Sequence, residues 1–153
     1  MTLSERIRTE RALVVLPGLS GTLQPRVRAA VLRTWWNGWV TKRRMQDRSK
    51  GCIFGCTSED SIEHYACCST VREFGQRSLG LDSPTPETAM EDFLALTPTL
   101  SSVTKELVAR KAVRLASVYL VHCKARHNRQ RAGPLTGAAL GHMMAELTRQ
   151  TLS

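Results

Sequence analysis

A chain of 153 residues suffices for one ordinary domain, or for a small one with helical extensions. Its hydrophobic share of 42% excludes a chain disordered by composition, while aromatics at 5% leave a core built on Leu, Val and Ala around one cluster, Trp35, Trp36 and Trp39. A formal net charge of +9 and a pI near 10.0 point to a polyanionic partner, nucleic acid first and an acidic membrane surface second.

Residues 1–23 read as a leader segment. Within it Ile7 to Leu16 can form a short helix that Pro17-Gly18 should end. The start carries Glu5 and Glu10 and no long apolar stretch, so no secretory signal is expected. Nor does any apolar run reach the roughly 18 to 20 residues of a membrane span. The expected setting is an intracellular, reducing compartment, cytoplasm or nucleus, with no membrane partner.

Residues 24–80 read as a basic helix followed by a metal-binding knuckle. Pro25 suits a first helical turn, where its missing N–H is harmless. Val27, Val31, Trp35 and Trp39 recur every four residues, so a helix from about Pro25 to about Gln46 is expected, with Gly38 a local weakness. Trp35 and Trp39 would share its core face. Trp36 points elsewhere and is free to stack bases or to cover the metal loop. From Arg26 to Lys50 every ionised group but Asp47 is basic, whereas acids dominate from Glu59 to Asp92.

Four Cys and one His fall within the 17 residues from Cys52 to Cys68. In a reducing compartment such a cluster argues for metal, not disulfides. Zinc favours four thiolate or imidazole ligands in a tetrahedron. Cys52 and Cys56 can converge from a tight turn in which Gly55 supplies backbone freedom. Asp60-Ser-Ile-Glu63 has the spacing of a capping box, with Asp60 as the cap and a helix starting near Ser61. His64 and Cys68 would then lie one above the other at i, i+4. Cys67, at i+3, is the rival ligand. A closed Cys₃His set leaves no open coordination position, so one Zn²⁺ per chain would be structural. Arg48 and Lys50 beside the thiolates favour their ionised form.

Residues 81–153 read as a helical C-terminal region. Val71 to Arg77 and Glu87 to Leu96 suggest short helices on either side of a linker punctuated by Pro84 and Pro86. A longer helix should follow Ser101 or Ser102. Its stripe of Val108, Ala112, Leu115 and Tyr119, widened by Val118 and Val121, implies deep burial, and it should end near Arg131. Leu140, Met143, Met144 and Leu147 mark a last helix, with Thr136 a candidate cap. No alternating strand of convincing length and no internal repeat is present. The fold class is therefore all-α: a small helical domain with an irregular zinc-binding loop and a helical C-terminal extension.

The run Leu32-Arg-Thr-Trp-Trp-Asn-Gly-Trp39, then Lys42-Arg-Arg-Met-Gln46, Cys52-x₃-Cys56 and Asp60-Ser-Ile-Glu-His64-x₃-Cys68 resembles the zinc-binding domain that follows the reverse transcriptase of non-LTR retrotransposons. Matched residue by residue, Cys52, Cys56, His64 and Cys68 take the ligand places. The first pair is spaced by three residues where many members have two. The resemblance is specific from about Leu32 to Cys68 and looser over Tyr119 to Asn128. It implies a role in holding template RNA or target DNA, with a reverse transcriptase polypeptide as a further partner. No adjacent Asp-Asp pair occurs, so polymerase chemistry is not expected of this chain. It would be a C-terminal fragment of an element, or a domesticated or decayed copy.

The expected function is thus a structural zinc-binding, nucleic-acid-binding domain, with no catalysis and no small-molecule substrate. Lys42, Arg43, Arg44, Arg48 and Lys50 on the first basic segment, and Lys124, Arg126, Arg129 and Arg131 on the second, are the candidate contacts to an RNA or DNA backbone. The alternative is a zinc-stabilised protein-interaction module. A nucleophilic pair of Cys123 with His122 or His127 is a weak third candidate: all three share one helix, and no residue that would orient them is evident.

Overall fold

The structure is a computed structural model that describes residues 3–21, 23–46, 51–96, 105–127 and 137–151. Among these residues every regular element is an α-helix, in agreement with the sequence: α1 (Leu3–Ser20), α2 (Pro25–Trp35), α3 (Ile62–Cys67), α4 (Ser69–Leu79), α5 (Ala89–Phe93), α6 (Lys105–His127) and α7 (Gly137–Thr151). The proposed caps Ser101, Ser102 and Thr136 lie outside the described residues, as does the expected helix end near Arg131.

Helix α6 is the axis of the fold. Ala112 through Tyr119 are all buried, so this stretch is covered on every side, and α1, α2, α4, α5 and α7 all pack against it. From α2 come Val27, Ala30 and Val31, from α7 Leu140, Met144 and Leu147, and from α1 Val15 and Leu19. Such a helix stays formed because its apolar surface is removed from water at about 25 cal/mol per Å². The Met143–Met144 pair is part of this packing: Met144 is buried and Met143 half-buried against the core.

Several helix ends differ from the sequence expectation: α1 begins at Leu3, not Ile7, α5 is confined to Ala89–Phe93 within the expected Glu87 to Leu96, and two further ends have a clear physical reason. Helix α1 runs through Pro17 to Ser20 instead of stopping at Pro17. Proline inside a helix costs about 3 kcal/mol, but burial of Val15 and Leu19 on either side of it holds the turn in place. Helix α2 ends at Trp35, not near Gln46. Asn37 takes a positive φ of 53°, and the Gly38 N–H turns back onto the Arg33 carbonyl at 2.6 Å. A Cβ at position 38 would lie 2.8 Å from that carbonyl oxygen, so this close approach requires glycine.

Trp35 and Trp39 therefore do not share one helical face. Trp35 is half-buried and donates its indole N–H to the Leu94 carbonyl at 2.8 Å. Trp39 swings back into the core, fully buried, and donates to Thr34 Oγ1 at 2.8 Å. Its ring meets Tyr65, Phe93, Tyr119 and His122 at centroid distances between 5.1 and 6.4 Å. This one indole joins the knuckle, α5 and α6.

Candidate metal centre

The first two ligands come from a tight turn. The Cys52 N–H donates to the Cys56 carbonyl at 3.2 Å, and the Gly55 N–H to the Cys52 carbonyl at 3.2 Å. Gly55 has φ +88°, which only glycine adopts without strain, so the sequence assignment of that role holds.

The second pair comes from α3 and its end. The cap of α3 is Ser61, not Asp60: Ser61 is extended, and its Oγ accepts the His64 N–H at 3.1 Å. Asp60 is one residue too early to reach that N–H and turns inward instead. Helix α3 stops at Cys67, and Cys68 is extended (φ −60°, ψ 126°) between α3 and α4. This break buries Cys68 and leaves Cys67 exposed.

Among the described residues one set that could hold a metal ion results: Cys52, Cys56, His64 and Cys68, whose candidate ligand atoms all lie within 4.8 Å of one another. Cys56 Sγ and Cys68 Sγ are 3.6 Å apart. Tetrahedral coordination with Zn–S bonds of about 2.3 Å places sulfurs about 3.8 Å apart. His64 Nε2 is buried without a hydrogen-bond partner, an atom that coordination would satisfy. The residues therefore fit a zinc-type ion. Cys68 belongs to this set, whereas Cys67 is exposed and stands outside it.

Without a cation the pocket opposes the charged thiolates. Burial pushes Cys68 up to about 12 and pushes Cys52 up as well, while it lowers His64 and keeps that imidazole neutral. Neutral imidazole is the form that binds metal, and a divalent ion would supply the charge that stabilises the thiolates.

Behind the ligands lies a polar brace that the sequence reading did not identify. Asp60 is 3% exposed. Its Oδ2 accepts the Lys42 N–H at 2.8 Å, and its Oδ1 accepts the Tyr65 hydroxyl. His122 Nε2, on α6, stands 3.4 Å from the same Oδ1, an electrostatic contact without good hydrogen-bond alignment. The Tyr65 oxygen in turn accepts the Ile53 N–H, one residue after the first ligand, at 3.5 Å. Burial pushes the Asp60 carboxyl up, but His122, Tyr65 and the Lys42 N–H outweigh that and hold it at about 2. Burial and then Asp60 push the Tyr65 phenol well above its ordinary range, so it stays a donor. The only sequence signal for this brace is the presence of Asp60 before the helix, which spacing alone assigns to a cap.

The candidate nucleic-acid contacts are scattered in their engagement. Arg43 faces Glu59 at 3.8 Å and Glu63 at 3.4 Å, all three side chains being more than half exposed. Arg44 is exposed and donates through Nη1 to the Asn37 carbonyl and, at 3.2 Å, to the Trp39 carbonyl. Lys42 is half-buried and Lys124 exposed. Arg126 is half-buried, with Nη1 buried and unpartnered. Arg48, Lys50, Arg129 and Arg131 lie outside the described residues. Asp60 meets both the Lys42 backbone and His122, so the first basic turn and the end of α6 abut one carboxylate.

His122 and Cys123 do not form a pair. His122 packs among Asp60, Trp39 and Tyr65, whereas Cys123 lies with Tyr119 and Arg33. The side chain of His127 is outside the described residues. No helix of the described residues is long and apolar enough to cross a membrane.

No protein-family model, curated protein or solved structure matches this chain.

Proposed function

We propose that the chain is a zinc-stabilised helical domain that binds the backbone of RNA or DNA and catalyses nothing by itself, related to the zinc-binding segment that follows the reverse transcriptase of non-LTR retrotransposons. The carrying observation is the convergence of Cys52, Cys56, His64 and Cys68 within 4.8 Å, in a chain of net charge +9. Zinc would tie the turn to α3 and α4, in a fold whose other support is the packing around α6. The Lys42–Arg44 turn and Lys124 would then present cations to phosphates.

A second reading, a zinc-stabilised protein-interaction module, draws on an apolar groove of about 580 Å³ lined by Leu13, Leu16, Trp36, Ile62, Met90 and Leu94. Exposed apolar patches of this kind often serve protein contact.

Native mass spectrometry of the reduced protein tests the metal: one zinc per chain is expected, lost in Cys56→Ser. Binding to RNA and DNA across a salt series separates the two readings. Affinity should fall steeply with salt, and Arg43→Glu with Arg44→Glu should reduce the log–log slope by about 2. A metal-free chain that folds well, or binding indifferent to salt and to both substitutions, would overturn the first reading.

A further inference from the structure

We propose that Trp36 and the Lys42–Arg44 turn form a ledge for single-stranded nucleic acid, with an unpaired base on the Trp36 indole and a neighbouring phosphate on Arg44. This deepens the nucleic-acid reading above and rests on it.

The first observation is the exposure of Trp36 at 76%. Trp is usually well covered, and the other two indoles find cover or a partner in this fold. Among the described residues Trp36 finds neither, although it sits between them in sequence. It is also held firmly in place. Its N–H closes α2 on the Leu32 carbonyl at 3.0 Å, and the next two N–H groups bond to Thr34 and Arg33. The ring is thus presented from a fixed backbone, with less ordering entropy to lose on binding.

The second observation is charge on the backbone that follows Trp36. Arg44 is anchored by Nη1 to the carbonyls of Asn37 and Trp39, just after Trp36. A guanidinium carries five N–H donors in a planar fork suited to phosphate. The whole stretch from Arg26 to Gln46 contains no acid. Val40 and Met45, exposed at 41% and 56%, place further apolar surface in the same turn. Beside the indole, Trp35, Asn37 and Ile62 line the recess of about 580 Å³, space enough for a planar base. An exposed ring with a cation anchored to the backbone just after it matches a single strand, whose bases are free to stack, better than a duplex, whose bases are not.

The arrangement also contains a brake. Glu63 lines the recess and, with Glu59, holds Arg43. A phosphate must compete with these carboxylates, so removing one should strengthen binding.

The test uses the zinc-loaded full chain with fluorescein-labelled oligo(U), oligo(dT) and a DNA duplex of equal length, read by anisotropy. Trp36→Ala should weaken single-strand binding about 10- to 100-fold and leave duplex binding within about twofold. Trp36→Phe should recover most of the loss, and Glu63→Gln should tighten single-strand binding. Unchanged zinc stoichiometry verifies the fold of each variant. Equal single-strand binding by Trp36→Ala and wild type would overturn the ledge and leave the basic-surface reading standing. An equal loss for duplex and single strand would overturn it too. Absence of any nucleic-acid binding by the wild type at low salt would remove both, and self-association through the recess would then assign the surface to protein contact.

Discussion

Replacing Asp60 with Asn probes the fold where the knuckle meets the long helix. The carboxylate is 3% exposed and joins the Lys42 N–H, the Tyr65 hydroxyl and His122. Its pKa is held at about 2 against an ordinary 3.8, worth about 2 kcal/mol at 1.36 kcal/mol per unit. Asn can accept from one donor but presents an amide to another, and it leaves His122 beside a neutral group. Breaking a buried charged network in this way costs about 2–4 kcal/mol. For a chain of this size that lowers Tm by roughly 5–15 °C. Because the folded pKa is depressed, this contribution is fully present above about pH 4 and fades as pH falls through about 2. Urea unfolding of the zinc-loaded protein at pH 7 measures it, with Tyr65→Phe and the double variant completing a cycle. Coupling between the two sites should be about 0.5–3 kcal/mol. A loss below about 0.5 kcal/mol for Asp60→Asn, or strict additivity with Tyr65→Phe, would refute a brace centred on this carboxylate.

Two further outcomes concern the metal. Cys67→Ser should retain one zinc per chain, because Cys67 is exposed and outside the ligand set, whereas Cys68→Ser should weaken zinc by about 3 kcal/mol, roughly a quarter of what a four-ligand site yields; equal zinc affinity in the two variants, measured by chelator competition, would contradict the assignment. Zinc binding should release protons and strengthen steadily as pH rises through the neutral and mildly alkaline range, since burial pushes the Cys52 thiol above its ordinary value and Cys68 up to about 12, keeping both protonated in the metal-free chain. The same raised pKa means that the metal-free fold loses stability as pH climbs above the ordinary thiol range. Calorimetry in buffers of different ionisation enthalpy counts the protons, and a count of zero would show that the thiols are already ionised.

The sequence by itself determined the all-α class and narrowed the candidate metal ligands to Cys52, Cys56, His64 and either Cys68 or Cys67. Helical periodicity is local, so Val27 and Val31, Ala112, Leu115 and Tyr119, and Leu140, Met144 and Leu147 announced their buried faces without knowledge of any partner. The candidate metal ligands are legible for the same reason: Cys52, Cys56, His64 and Cys68 lie within one turn, one short helix and the residue after it, so their spacing already brings them close. Only the tertiary structure decided where α2 stops, because Trp39 leaves its periodic face to fill the space among Tyr65, Phe93, Tyr119 and His122. It likewise passed α1 through Pro17, where burial of Val15 and Leu19 outweighs the helix penalty. Asp60 shows the limit most clearly. Within its own segment it has the pattern of a helix cap, and besides the nearby Tyr65 its partners, Lys42 and His122, lie 18 residues before it and on a distant helix. A polar side chain satisfies its hydrogen bonds wherever packing brings donors to it, and local sequence carries no record of which distant donors those are.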